Sequence, residues 1–132
     1  MIQQRSPVSA LNKALFDRLK VQISTPGYDG VPDGKQPPYW ALAETTVRPW
    51  GSKTISGADA LATVKVYSAH RGNKEVATIT AAIIAAVTGS PLPLTDDWKI
   101  VRLTVKQHIV DRAETYREAS IQFSFKIVDV KE

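Results

Sequence analysis

The stretch TPGYDGVPDGKQPPYWALAETTVRPW, Thr25 to Trp50, constrains the fold more than any other part of the chain: turn-forming residues crowd its first half and a strand-like run fills its second. Proline lacks the amide donor and glycine supplies left-handed backbone angles. Pro26-Gly27, Asp29-Gly30, Pro32, Asp33-Gly34 and Pro37-Pro38 are therefore kept out of helices and central strands. They predict an ordered surface loop that ends at Tyr39. Structureless connections this long are uncommon inside compact domains, and those that are ordered usually carry function.

Before the loop, Ser6 followed by Pro7 is a helix start signal, since serine accepts a bond from the orphan amides and proline is tolerated in the first turn. Val8, Leu11, Leu15 and Leu19 then recur at spacings of three and four, which predicts an amphipathic helix over roughly residues 7 to 19. A short strand from Lys20 to Ser24 is expected next. After the loop, Tyr39 to Val47 and Leu61 to Ser68 read as strands, the second alternating Ala62, Val64 and Val66 with Thr63, Lys65 and Tyr67. Arg48 to Asp59 between them holds two glycines among Ser, Thr and Lys, and reads as a mobile connection between antiparallel neighbours.

Residues 73 to 88, NKEVATITAAIIAAVT, predict a second helix that Gly89, Pro91 and Pro93 stop. Every residue from Ala81 to Val87 is apolar, more than one covered face requires, so this helix is expected to be buried on more than one side. Val76 to Val87 is too short to cross a bilayer, which takes about 20 residues. The core or a second subunit must cover it, and Ile83, Ile84 and Val87 are the candidate subunit contacts.

The last third predicts a long β-hairpin. A turn at Asp111 to Thr115 makes Val110 face Tyr116, and counting back sets Val105 opposite Ile121, Leu103 opposite Phe123 and Val101 opposite Phe125, with apolar residues sharing one face. The other face holds Arg102, Thr104, Lys106, Gln122, Ser124 and Lys126. At roughly 3.3 Å per residue each arm reaches about 40 Å, so part of the hairpin is expected to run past its own sheet. The fold class is α+β: an antiparallel or mixed sheet packed against two helices, with long loops and a long C-terminal hairpin.

The 132 residues suffice for one domain, 1–132, able to bury roughly two-thirds of the surface its unfolded chain exposes. With no cysteine, a disulfide framework, thiolate zinc sites and a cysteine nucleophile are excluded. Residues 1 to 20 carry charges throughout and no apolar stretch of signal-peptide length, which predicts a cytoplasmic origin. The net charge of +4 arises from 17 basic and 13 acidic residues that are scattered along the chain, the pattern of a solvated surface more than of a nucleic-acid patch.

Signs of catalysis are few. His70 and His108 have no carboxylate or second imidazole at a metal-binding spacing and read as surface residues. Asp96-Asp97 reads as a turn, because neighbours on extended backbone point to opposite faces. Asp29 and Asp33 lack the alternating ligands and terminal glutamate of a calcium loop and read as turn formers. Phosphate loops, serine elbows and dinucleotide fingerprints do not occur. Neither an enzyme nor a cofactor is expected. Tyr28, Tyr39, Trp40 and Trp50 concentrate aromatics in and beside the long loop. They serve to anchor the loop to the sheet, to bind a protein, or both, and Arg48 beside Trp50 adds to the second reading.

The order helix, YDGVPDG, PPYWALAETTVRPW, LATVKVYS, RGNKEVATITAAIIAAV and closing hairpin resembles the small tail-completion or tail-terminator proteins of long-tailed double-stranded-DNA bacteriophages and related prophages. The resemblance covers nearly the whole chain. It is most specific at Tyr28-Asp29-Gly30-Val31-Pro32 with Pro38-Tyr39 beyond, and at the strand-to-helix step VYSAHRGNKEV. Lys35-Gln36 and the proline-rich Ser90 to Leu94 depart from many relatives.

The resemblance implies a structural virion protein, assembled in the host cytoplasm, that caps the tail tube as a hexameric ring. Such a ring ends tube polymerisation and docks onto the head-tail connector. Its implied partners are copies of itself, the tail-tube protein and the connector protein, with passing contact to DNA and none to membrane. Tyr28, Asp29, Asp33, Lys35, Arg48, Trp50 and Lys53 are then the candidate partner-binding loop residues, and Arg102, Lys106 and Lys126 the candidate basic hairpin face. A head-completion or neck protein of the connector is the nearest alternative. A basic nucleic-acid-binding module is a further one.

Overall fold

In the computed structural model, which describes residues 5–30, 34–51, 56–69, 72–112 (111–112 as backbone) and 117–130, two helices lie on one face of a five-stranded sheet. The elements are α1 (Val8–Gln22), β1 (Gly27–Tyr28), β2 (Tyr39–Gly51), β3 (Ser56–Ser68), α2 (Lys74–Thr88), β4 (Trp98–Arg112) and β5 (Arg117–Asp129). Strand order is β1-β2-β3-β5-β4. β1 runs parallel to β2 and the other neighbours are antiparallel, so the sheet is mixed and open.

α1 starts one residue later than the serine signal suggests. Pro7 is the cap, its carbonyl accepts from the Leu11 amide at 2.9 Å, and Ser6 Oγ accepts from the Val8 amide at 3.4 Å. Ala10, Leu11, Leu15 and Leu19 form its buried stripe. The expected strand at Lys20 to Ser24 is corrected. The helix continues through Gln22, because Ile23, four residues after Leu19, docks on the same side and is buried, while its amide donates to the Leu19 carbonyl at 2.9 Å.

Within the protomer α2 is buried along a single stripe, Val76, Ile79, Thr80, Ile83, Ala86 and Val87, so of the two expected covers for its further sides, core or second subunit, the core supplies none. The run from 81 to 87 is apolar because alanines occupy the solvent side: Ala77, Ala81, Ala82 and Ala85 are exposed. Alanine is the best helix former, so this costs the helix nothing. Arg18 of α1 clamps the far end. Its guanidinium donates to the carbonyls of Ala86 at 3.1 Å, Ser90 at 3.2 Å and Pro91 at 2.7 Å, placing a cation where the last carbonyls of α2 lack helical partners.

The core lies between the helices and the strands. β5 contributes Ala119, Ile121, Phe123, Phe125 and Ile127, and β3 contributes Ala58, Ala60, Ala62, Val64 and Val66. Small residues on β3 let the helices approach closely, and each buried phenylalanine contributes roughly 1.5–3 kcal/mol. Arg5 ties the start of the chain to the start of β4: it pairs with Asp129 at 2.8 Å, donates to the Asp96 carbonyl and lies 4.5 Å from the Trp98 ring centroid.

The connection from Arg48 to Asp59 is largely sheet. Arg48 pairs with Asp59, Pro49 with Ala58, Trp50 with Gly57 and Gly51 with Ser56, leaving only 52–55 outside the described residues. Gly57 of this connection is there for close approach: a Cβ on it would lie 2.6 Å from the Ile127 carbonyl and 3.0 Å from the Trp50 ring.

The hairpin register is also corrected. Val105 faces Phe123 and Leu103 faces Phe125, each two residues from the expected partner. An even slip preserves the face, so both still point at the core. Val101 falls in a bulge between Ile100 and Arg102 and is 51% exposed, instead of packing opposite Phe125. Val110 faces Ala119, and Tyr116 lies outside the described residues. Among the described residues the hairpin does not run past its sheet, since β3 pairs with β5 from Gly57–Val128 to Ser68–Arg117.

Candidate functional site

With both helices on one side, the other face of the sheet carries no element of the chain among the described residues, and strand register sets what it presents. Arg48 pairs with Asp59, Asp59 with Lys126, and Lys126 with Arg102, a row that crosses four strands on the uncovered face. Side chains directly opposite one another on a sheet are about 4.5–5.5 Å apart at Cβ, and like charges so placed repel. Lys126 leans away from Arg102: its Nζ lies 3.9 Å from Asp59 Oδ1 and 4.8 Å from the Trp50 ring centroid. The next row runs Trp50, Gly57, Val128, Lys99. One end of the face is thus basic, with Trp50 among the cations. The indole Nε1 of Trp50 is buried without a hydrogen-bond partner.

The opposite end is aromatic. Tyr39 and Tyr67, cross-strand partners, have ring centroids 4.9 Å apart, and Tyr28 meets Tyr39 edge-on at 5.8 Å. Lys35 Nζ lies 5.8 Å from the Tyr28 ring centroid. Between the ends, Lys65 donates to Glu118 at 3.1 Å, and this hydrogen bond raises the Lys65 ammonium above the ordinary lysine value. Leu61, Thr63, Ser120, Gln122, Ser124 and Thr104 complete a mostly uncharged middle.

Trp40 serves as anchor for the long loop. It is fully buried, its indole N–H donates to the Thr25 carbonyl at 3.0 Å, its backbone amide donates to Pro26, and its ring lies where a Cβ on Gly27 would stand, 1.9 Å away. That ring also meets Phe16 of α1 at 5.7 Å between centroids.

Of the expected partner-binding residues, Tyr28 is half-buried in β1, Asp29 and Lys35 are exposed in the loop, and Arg48 and Trp50 belong to the basic row and its neighbour. Asp33 and Lys53 lie outside the described residues. Arg102 and Lys126 share the uncovered face as expected, but they are direct cross-strand partners, where the expected register set Arg102 opposite Ser124. Lys106 is exposed in a second bulge between Val105 and Gln107, out of the regular register. On α2, Ile83 and Val87 are fully enclosed in the protomer's own core, and only Ile84 of the three candidates keeps surface. His108 is exposed and His70 lies outside the described residues. Asp96 and Asp97 form a turn at φ 61 and 64.

Asp59, Lys65, Lys99, Tyr67 and Glu118 are members of this face that sequence reasoning did not single out. The signal was present for Asp59, as the alternation of Ala58, Ala60 and Ala62 puts the aspartate on the outer side. An open groove of about 810 Å³ lies beside β4, lined by Leu92, Leu94, Trp98, Ile100, Val101 and Val130. Among the described residues no group of His, Asp and Glu could hold a metal ion, and no helix is long and apolar enough to cross a membrane.

The family model described as tail completion protein gp17 matches residues 9–128, and the chain belongs to this family of structural phage tail proteins. No curated protein matches it in sequence. In fold it is similar to a chain from the virion of a native gene transfer agent (GTA) particle. The TM-score is 0.83, with 23% identity over 95% of this chain and 99% of that one. It is also similar to the gp17 protein of bacteriophage SPP1, at a TM-score of 0.61 and 18% identity over 94% of this chain and 93% of that one.

Proposed function

We propose that this tail completion protein sits as a ring on the end of the phage tail tube, ends tube polymerisation and offers the surface to which the head docks. The observation that carries the reading is the open sheet. A chain whose helices cover one face only, and whose other face holds an ordered row of opposed charges beside a partly buried tryptophan, has a surface suited to protein partners: Trp, Tyr and Arg dominate interface hot spots. Six copies form the ring, related by contacts between two different surfaces, as a ring requires.

Tyr28, Asp29, Asp33 and Lys35 on one loop, and Arg48, Trp50 and Lys53 at the β2–β3 end, meet the tube or the connector. On α2, Ile84 is the member of the Ile83, Ile84, Val87 group with surface to give to a neighbour. Arg102, Lys106 and Lys126 supply a passing contact to DNA phosphates. Such a contact weakens with salt.

The reading is tested by negative-stain imaging of tails assembled with and without the chain. A ring at one tube end and tubes of uniform length are expected with it, and tubes of uncontrolled length without it. Tubes of normal length in its absence would overturn the terminator role.

A further inference from the structure

We infer that neighbouring copies in the ring join edge to edge, the free edge of β4 in one copy pairing with the free edge of β2 in the next, so that the sheets continue from copy to copy. This rests on the ring reading and specifies its interface.

Both ends of the sheet are open. β1 covers β2 only at Trp40 and Ala41, and among the described residues no strand lies along the same side of β2 from Leu42 to Gly51. β4 is the last strand at the other end, and among the described residues no strand lies along its outer side. Unpaired strand edges are templates for pairing with another chain, and folded proteins cover, shorten or charge them. Here two long edges remain in one small protein.

Exposed apolar side chains gather on the β4 side. Among the described residues the exposed large hydrophobics are Val21, Val101, Ile109, Val110 and Val130, of which all but Val21 lie on β4 or line the groove beside it. Such a concentration marks an interaction surface.

The charges choose the partner. β4 carries exposed Lys99, Arg102 and Lys106, so two β4 edges brought together would set cation against cation, which is destabilising on a sheet. The free stretch of β2 from Leu42 to Gly51 carries exposed Glu44 and exposed Arg48, one charge of each sign, and so has no net positive charge. Joining β4 to β2 avoids the contact of two wholly cationic edges, offers Glu44 to the β4 cations and uses two different surfaces, the contact type that closes a ring. β2 is also protected against careless pairing: Pro49 removes one donor, and a register shift between Leu42 and Thr45 breaks the regular edge.

The chain has no cysteine, so introduced thiols report unambiguously. Cross-strand neighbours sit at the spacing a disulfide needs. Thr46→Cys on β2 is combined in the full chain, in turn, with Val101→Cys, Thr104→Cys, Gln107→Cys and Ile109→Cys on β4. Each double variant is oxidised on tube ends and run under denaturing, non-reducing conditions. A ladder of covalent multimers is expected from one or two adjacent positions and from none of the single variants. Rings visible by imaging with no ladder from any pair would overturn edge pairing alone. Absence of rings from the unmodified chain would overturn the ring reading, and this inference with it.

Discussion

The two faces of the sheet are written on the same strands and behave differently. On β5, Ala119, Ile121, Phe123, Phe125 and Ile127 are buried beneath the helices, while Glu118, Ser120, Gln122, Ser124 and Lys126, which alternate with them, are half-buried on the uncovered side. On β3 the alanines and valines of the covered face let the helices close in. Asp59, Lys65 and Tyr67 of the other face form ion pairs and ring contacts within the sheet. Folding free energy is therefore concentrated on one side, because apolar burial far outweighs exposed ion pairs. The other side holds polar, charged and aromatic side chains.

The division is broken most severely from the covered side. Phe123→Ala should lose about 3–5 kcal/mol, read as a lower denaturant midpoint, since it removes a fully buried ring from the core. Gly27→Ala should cost about 1–3 kcal/mol by thermal melting, as its Cβ would overlap the buried Trp40 ring and push the loop base off the sheet. Arg18→Ala, which strips three carbonyls at the end of α2 of their cationic donor, should cost about 1–2 kcal/mol in the same assay.

On the uncovered side the prediction reverses. Arg102→Gln together with Lys126→Gln should change stability by no more than about 0.5 kcal/mol, yet lower the yield of complete particles in a complementation assay. A large loss of stability would show that the row belongs to the fold. Smallest of all is the Lys65–Glu118 pair. Because the folded-state value of Lys65 is raised, its contribution is fully present below the ordinary 10.5 and fades as pH climbs through the raised value. Lys65→Met should thus differ from the parent by under about 0.5 kcal/mol, constant from pH 6 to 9, with the difference shrinking only in strong alkali.

Much of the covered side was legible in the chain. Leu11, Leu15 and Leu19 at helical spacing and the alternation through Phe123 and Phe125 both name the core correctly, because burial imposes a period. The uncovered side was harder to read. Arg48 and Asp59 read as parts of a mobile connection, since glycines that favour loops also permit the close approach seen at Gly57. Bulges beside Val101 and Lys106 shift a strand without leaving a periodic mark. The exposed alanines of α2 mimic burial, because hydrophobicity and helix propensity coincide in that residue. Arg48, Trp50, Arg102 and Lys126 stand out singly in the sequence as candidates. Their union in one neighbourhood needed the register.

Amide hydrogen exchange, comparing the free chain with the same chain assembled on tube ends, tests most directly that the sheet side carries assembly. New protection is expected along Leu42 to Gly51 and along β4, larger than any change around Ile84 on α2. Protection confined to the helices, with both sheet edges exchanging as in the free chain, would contradict the account.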